Sequence, residues 1–276
     1  MKIGIVGIGL IGGSLAKAYK AEGHEVYAFD TDKTILSFAQ LYGAIDGVLD
    51  TQSTGQCEMI FIAVNPGDAV ANLERMAKNI AKDTLVIDCC GIKRTVYEKC
   101  FPIAEKYGFI FVGGHPMAGS HNVGFKNSRA DLFKGAYMIL VPPVYDDAVL
   151  FGRIEELLKP IGFGHLTVTT AEKHDEIIAF SSQMAHIVSN AYIKSPTARS
   201  HKGFSAGSYK DLTRVARLNS DMWAELCMGN NDFLIKELDG FIQEISLYRD
   251  ALAVKDIDKL RELLKEGSRI KEELDY

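Results

Sequence analysis

Three groups of residues in this chain have the types and spacing for chemistry. Gly7, Gly9 and Gly12 form G-x-G-x-x-G, and Asp30 follows about 20 residues later. His115 stands between Gly113-Gly114 and the run Pro116-Met117-Ala118-Gly119-Ser120. Further on come His174-Asp175, Ser182 and His186, Lys210 and Arg214, and then Trp223. The first group fits a phosphate ligand, the second can move a proton, and the third can meet a charged small molecule.

Each residue type has a physical reason. Glycine at 7 allows a tight turn, glycine at 9 lets a pyrophosphate approach the backbone, and glycine at 12 lets helix and strand pack closely. The phosphates then meet free N–H groups at a helix start, here Leu10 and Ile11. Asp30 can accept hydrogen bonds from a ribose 2′-hydroxyl and would repel a 2′-phosphate, which predicts NAD rather than NADP. The competing reading is a glycine-rich turn in another α/β protein; the strand, helix, second strand and Asp30 in register favour the dinucleotide. His115 can take a proton near neutral pH, as oxidation of an alcohol requires; the alternative is a structural loop histidine. Ser182 and His186 share a helix face, as do Lys210 and Arg214, which could jointly meet an anion. For Lys210 a solvated basic face is the simpler reading. His174 and His186 would lie ~18 Å apart along an unbroken helix, so no metal site is expected.

The elements that must position these residues follow from periodicity. The apolar run 3–6 suits a buried parallel strand, 10–20 has helical spacing with Leu15, Ala16 and Tyr19 on one stripe, and 26–29 is a second strand that Asp30 ends. Further strands are predicted over 58–64, 84–88, 109–113, 136–141 and 164–168, with helices between most of them. This alternation predicts an α/β fold, a Rossmann-type, mostly parallel sheet with right-handed crossovers. From 170 to 195 the chain reads as one long helix that Pro196 stops, and helical patterns continue over 209–219, 221–228, 230–254 and 256–273. The expected division is a dinucleotide-binding domain over 1–168 and an all-helical domain for dimerisation and substrate over 169–276. Ligands of open parallel sheets bind beyond the carboxyl ends of the strands. The glycine loop, Val64-Asn65-Pro66, Cys89-Cys90-Gly91 and the His115 loop converge there, so Val64, Asn65 and Pro66 join the cofactor-binding set.

Composition narrows the class. The apolar fraction of 47% and charged fraction of 24% are those of an ordinary globular protein. A net charge of −5 argues against a nucleic-acid partner. Apolar runs are strand-sized and Met1-Lys2 leads straight into the first strand, so neither a membrane span nor a signal peptide is expected. Five cysteines without C-x-x-C fit reduced thiols in the cytoplasm, and Cys89 and Cys90 read as buried strand-end thiols.

Taken together, these motifs resemble the TyrA family, prephenate or arogenate dehydrogenase. The matching stretches are GIGLIGGSLA at 7–16, DCCGIK at 88–93, HPMAGS at 115–120, His174-Asp175, SQMAH at 182–186, and DLTR at 211–214 followed by Trp223. Many dehydrogenases share the glycine motif; the HPMAGS loop followed by the others is far more selective. The resemblance implies a nucleotide-binding domain plus a helical dimerisation domain, with the active site between them. It implies oxidation of prephenate with NAD(P)⁺ and loss of CO₂, giving 4-hydroxyphenylpyruvate for tyrosine synthesis. His115 matches the histidine that takes the ring hydroxyl's proton, Arg214 the arginine that holds the ring carboxylate, and His186 a substrate-contacting histidine. Gly207 and Trp223 match pocket-lining positions, and Ser182 and His174 are counted with the substrate-binding residues. A dianion does call for a bidentate arginine.

Three positions depart from the family pattern. Gly91 stands where a serine orients the catalytic histidine, so Ser120, a group near Cys90, or water would have to substitute. Gln183 replaces a frequent histidine. His121 stands where many members carry an acid that could pair with the amino group of arogenate, which tilts the expectation toward prephenate. No regulatory domain follows the helices in this sequence, so tyrosine feedback through one is not expected. The rivals are another two-domain dehydrogenase, of β-hydroxyacid or imine-reducing type, and a non-catalytic NAD-binding sensor.

Overall fold

The computed structural model describes residues 1–120 and 122–275. Its first half alternates β1 (Lys2–Val6), α1 (Leu10–Ala21), β2 (Glu25–Phe29), α2 (Lys33–Leu41), β3 (Gly47–Val48), α3 (Thr51–Thr54), β4 (Met59–Ile62), α4 (Pro66–Met76), β5 (Leu85–Asp88), α5 (Arg94–Tyr107) and β6 (Ile110–Pro116). After β7 (Tyr137–Val141), α6 (Ala148–Leu158) and β8 (His165–Val168), the described residues form no further strand. The sheet order is β3-β2-β1-β4-β5-β6-β7-β8. The order reverses between β1 and β4, which is where a doubly wound sheet opens its ligand crevice.

Burial explains why these strands sit centrally. Met59, Ile60, Phe61 and Ile62 of β4, and Leu85, Val86 and Ile87 of β5, are sealed from solvent. Each large apolar side chain so buried contributes about 1.5–3 kcal/mol. One helical layer, with Leu15 and Tyr19 of α1 and Ile154 and Leu157 of α6, covers one face; Leu73 of α4 and Val96 and Cys100 of α5 cover the other. Tyr19 donates its hydroxyl to the Leu157 carbonyl at 2.7 Å, so its one polar group is satisfied inside the core.

The sheet is mostly parallel, as expected, and among the described pairings only β7 runs antiparallel to its neighbour β6. A parallel return needs a crossover, usually a helix. Between β6 and β7 the described chain forms only a short 3₁₀ turn, Phe125–Asn127. That connection folds over α1 instead, where Lys17 Nζ donates to the Ser128 carbonyl at 2.7 Å. The two-residue β3 and the short α3 also escaped the sequence reading; neither is long enough to show a period.

The second half contains α7 (Ala171–Ile178), a π-helical segment (Ala179–Met184), α8 (Ala185–Tyr192), α9 (Gly207–Thr213), α10 (Ser220–Met228), α11 (Asn231–Ala253) and α12 (Ile257–Leu274). The predicted single helix is therefore interrupted: the π segment inserts a wider turn between His174 and His186, and such turns concentrate at functional sites. The predicted 209–219 helix ends at Thr213, and α10 starts after an Asn219 cap, whose side chain accepts from the Met222 N–H.

Candidate active site

The glycine loop has the shape a dinucleotide needs. Gly7 has φ +86°, and its N–H donates to the Phe29 carbonyl at 2.8 Å, tying the loop to the end of β2. A side chain at Gly12 would collide with the Gly7 carbonyl oxygen, so helix α1 can approach β1 only with glycine there. Gly9 caps α1 without any side-chain hydrogen bond, and a side chain on it would project into open space. The first-turn N–H groups at Leu10 and Ile11 are thus left for an anion. Asp30 accepts from the Ile8 N–H at 2.8 Å and the Asp32 N–H at 3.0 Å, one through each carboxylate oxygen. It lines a cavity of about 100 Å³ with Gly7, Phe29, Val64 and Asn72, sized for part of a ribose. Val64 is half-buried there, Asn65 is the uncapped N-cap of α4, and Pro66 is its first residue.

His115 is held from below by a buried polar frame. Gly114 has no room for a side chain, because Asp88, Ile87 and Met138 crowd its α-carbon. Its N–H donates to Asp88 Oδ1 at 3.0 Å, and the Cys90 N–H donates to Asp88 Oδ2 at 3.0 Å. Asp88 also forms an ion pair with Lys93, both side chains sealed from solvent. His115 Nδ1 lies 2.9 Å from His174 Nε2, and His174 Nδ1 lies 2.7 Å from Asp175 Oδ1. Asp175 in turn accepts the backbone N–H groups of Lys93 at 2.7 Å and Arg94 at 2.9 Å.

Charge follows from burial and partners. Burial pushes the His115 imidazole well below its ordinary pKa, with the neighbouring His174 and Lys93 adding to it. His174 is also lowered, by burial against the opposing pull of Asp175. Burial alone would raise Asp175, but the hydrogen bonds from His174, Arg94 and Lys93 hold it below the usual carboxylate range. The frame is therefore an ionised aspartate beneath two neutral imidazoles.

Helix α10 closes the opposite side. Glu225 Oε1 accepts the Gly67 N–H of α4 at 2.7 Å, beside the cofactor crevice. Trp223 stacks on His186, ring centroids 4.2 Å apart. Leu226 packs on Gly91, 3.3 Å from where a side-chain carbon would stand, and His115 Nε2 lies 4.0 Å from that same point. Positions 223 and 226 share a helix face. One helix thus spans from His186 to the Gly91 side of His115.

Model matches place the chain among known proteins. Residues 15–166 match the model for the prephenate dehydrogenase nucleotide-binding domain, and residues 170–266 match that for the prephenate dehydrogenase dimerization domain. The chain belongs to the prephenate dehydrogenase family. It is 29% identical over 266 residues to the prephenate dehydrogenase of Bacillus subtilis, covering 93% of this chain and 71% of that protein. It is 28% identical over 277 residues to the cyclohexadienyl dehydrogenase of Zymomonas mobilis, covering 97% and 94%. The fold matches that of prephenate dehydrogenase from A. aeolicus, solved with hydroxyphenyl propionate and NAD⁺, at TM-score 0.79 and 24% identity, covering 99% of this chain and 98% of that one.

Against that family background, several sequence expectations change. The partner of His115 Nδ1 is His174, not a hydroxyl from Ser120 or water; Ser120 instead accepts the Asn122 N–H at 3.2 Å. His174 was counted with the substrate-binding residues, but its side chain is sealed from solvent and both ring nitrogens are occupied. It has no atom to offer a substrate. Gln183 is a structural cross-link: its Nε2 donates to the Leu226 carbonyl at 3.0 Å and its Oε1 accepts from Asn230 at 2.8 Å. His121 lies outside the described residues.

The remaining predicted positions cluster less tightly. His186 Nδ1 lies 2.8 Å from the Ser182 carbonyl, which can only accept, so Nδ1 carries the proton and Nε2 is free. Arg214 follows α9 and is exposed, with no ion pair among the described residues. The chain on either side is fastened to α8, where Ser189 Oγ donates to the Leu212 carbonyl at 2.7 Å and Asn190 to the Ala216 carbonyl at 2.9 Å. No hydrogen bond among the described residues joins Arg214 or Gly207 to His115; Gly207 is the exposed first residue of α9. Asp88, Lys93 and Asp175 lie in motifs the sequence analysis quotes but were given no role there, and Arg94 and Asn230 were missed. Arg94 bonds Asp232, Asn230 and Asp175 together, and its guanidinium holds the Asp232 carboxyl down to about 2. The signal for the first three was charge in the otherwise apolar DCCGIK strand end and in the His174-Asp175 pair.

Proposed function

We propose that this chain is an NAD-dependent prephenate dehydrogenase, converting prephenate by oxidative decarboxylation to 4-hydroxyphenylpyruvate. The observation that carries the reading is His115, an imidazole that burial keeps neutral in β6, with Nε2 turned toward Gly91 and Nδ1 taken by His174. A group of that kind accepts the ring-hydroxyl proton. The Leu10 and Ile11 N–H groups would hold the pyrophosphate, Asp30 the ribose, and Val64, Asn65 and Pro66 the flank of the crevice. NAD, when bound, supplies the hydride acceptor. The preference for NAD over NADP rests on Asp30, whose carboxylate repels a 2′-phosphate.

Arg214 anchors the ring carboxylate with its unpaired guanidinium, and His186, stacked on Trp223, presents Nε2 to the substrate. Ser182 and Gly207 line the approach. Residues 1–168 act as the dinucleotide-binding unit and 169–276 as the helical unit, since β8 ends at Val168 and α7 begins at Ala171. The helical unit forms a homodimer; the exposed apolar stripe on α11 supports this. The free cysteines fit the reducing cytoplasm, and no helix of the described residues is long and apolar enough to cross a membrane.

The test follows NADH fluorescence with prephenate, arogenate and a 3-hydroxy acid in turn. Prephenate-dependent NADH is expected. Faster turnover of arogenate would move the substrate assignment, and NAD binding without turnover of any of the three would make the chain a sensor. His115→Asn should lower kcat about 10²–10⁴-fold with little change in KM; near-normal turnover would remove its assigned role.

A further inference from the structure

A base that accepts a proton must present a lone pair in the right direction. In a neutral imidazole only one ring nitrogen has one, and the partner of the other nitrogen decides which. For His115 that choice can be followed bond by bond. Asp175 is ionised and receives two backbone N–H groups, from Lys93 and Arg94, so it can only accept from the ring beside it. The 2.7 Å contact therefore puts the proton of His174 on Nδ1. Neutral His174 then has its lone pair on Nε2, which lies 2.9 Å from His115 Nδ1. His115 must donate from Nδ1, and its lone pair is left on Nε2, the nitrogen that faces Gly91.

We infer that His174, oriented by Asp175, is a positioning residue that fixes the tautomer and ring direction of His115. Its role rests on the proposed function above, because it matters to rate only if His115 is the base. The arrangement needs no hydroxyl at position 91: among the described residues the only side-chain hydrogen bond of His115 is the one from Nδ1 to His174. The geometry is rigid. His174 and Asp175 are sealed from solvent on the first helix of the second half, while His115 ends a strand of the first half. The carboxylate is pinned to the start of α5, and Asn230 Nδ2 fixes the Asp175 carbonyl at 2.8 Å. The other charged groups against this pair are Arg94, whose Nε donates to Asp175 Oδ2 at 3.3 Å, and the buried Lys93–Asp88 ion pair. Seating the helical half on the sheet half is thus what arms the base.

Two substitutions and one spectroscopic measurement test this. His174→Gln keeps an acceptor for His115 Nδ1 in the amide oxygen, whereas His174→Phe fills the space with none. With prephenate and NAD, His174→Phe should lose about 10- to 100-fold in kcat, with both KM values within about threefold, because orientation and not binding is lost. His174→Gln should recover most of that loss. The acid limb of its kcat profile should move, since the amide cannot take up a proton as the paired His174 imidazole can. Histidine ¹⁵N spectra of the wild-type protein, which need no turnover, should show His115 protonated at Nδ1 and bare at Nε2, and the pattern should be lost in His174→Phe. A His115 proton on Nε2 in the wild type would overturn the relay whether or not the chain oxidises prephenate. So would equal kcat in both variants and the wild type, or equal losses in Gln and Phe with an unmoved acid limb. If prephenate is not oxidised but the tautomer is as stated, the function fails and the relay stands.

Discussion

In the sheet half, the apolar residues of β4 and β5 are sealed between two layers of helices. In the helical half, Ile235, Ile242, Ile245 and Leu252 of α11 all lie more than half exposed, at spacings of seven, three and seven that put them on one stripe. The sheet half completes its own core; the helical half leaves an apolar stripe exposed. Polar burial is distributed the other way. Asp88, Lys93, His174, Asp175, Gln183 and Asn230 are buried at the seam between the halves, and all have partners. The difference teaches that the site is built where neither half supplies apolar packing by itself, and where a misplaced charge would be expensive.

The contrast can be broken most sharply at the seam. Lys93→Met leaves Asp88 charged and buried without its cation, and should cost about 3–5 kcal/mol of stability in denaturant unfolding. Replacing Asp88 and Lys93 together by apolar residues should recover only part of that, because the Gly114 and Cys90 N–H groups then lose their acceptor. A single variant with unchanged stability would mean the pair is not the keystone of the strand ends.

Arg214 tests the exposed rim. Because nothing in the fold depends on its guanidinium, Arg214→Gln should leave the melting temperature unchanged and raise KM for prephenate about 10- to 100-fold. A fall in stability instead would class it with the seam.

The apolar stripe is tested by Ile242→Asp with Ile245→Asp, at positions 60% and 53% exposed. Sedimentation should show a dimer become a monomer, with secondary structure retained. A wild-type chain that is already monomeric would remove the reason for the stripe.

The smallest effect is pH dependence. His115 and His174 are both held neutral when folded, chiefly by burial. Unfolded imidazoles bind protons near pH 6.5, above the folded values, so the unfolded state binds more protons in between. Stability should be full above about pH 6.5 and decline as pH falls below it. Asp175 is lowered as well, so its contribution persists above about pH 3.9 and is lost only below that. Melting temperature against pH should show the first decline well before the second, and His174→Phe should reduce the first.

Much of the nucleotide half was legible because local rules write it. Gly7, Gly12 and Asp30 act over one strand-turn-helix unit, and the strand periods are short-range. The antiparallel β7 was not legible, since its direction depends on a connection that packs on α1. The π segment was hidden because it keeps the helical period to within one residue. By itself the sequence determined the types of the longer elements and the glycine turn, and it singled out His115 as the candidate proton acceptor. Only the tertiary structure decided what stands behind that acceptor. His174 is 59 positions away in the chain, and hydrogen bonds between such distant residues are set by how two halves dock, a relation that no spacing encodes.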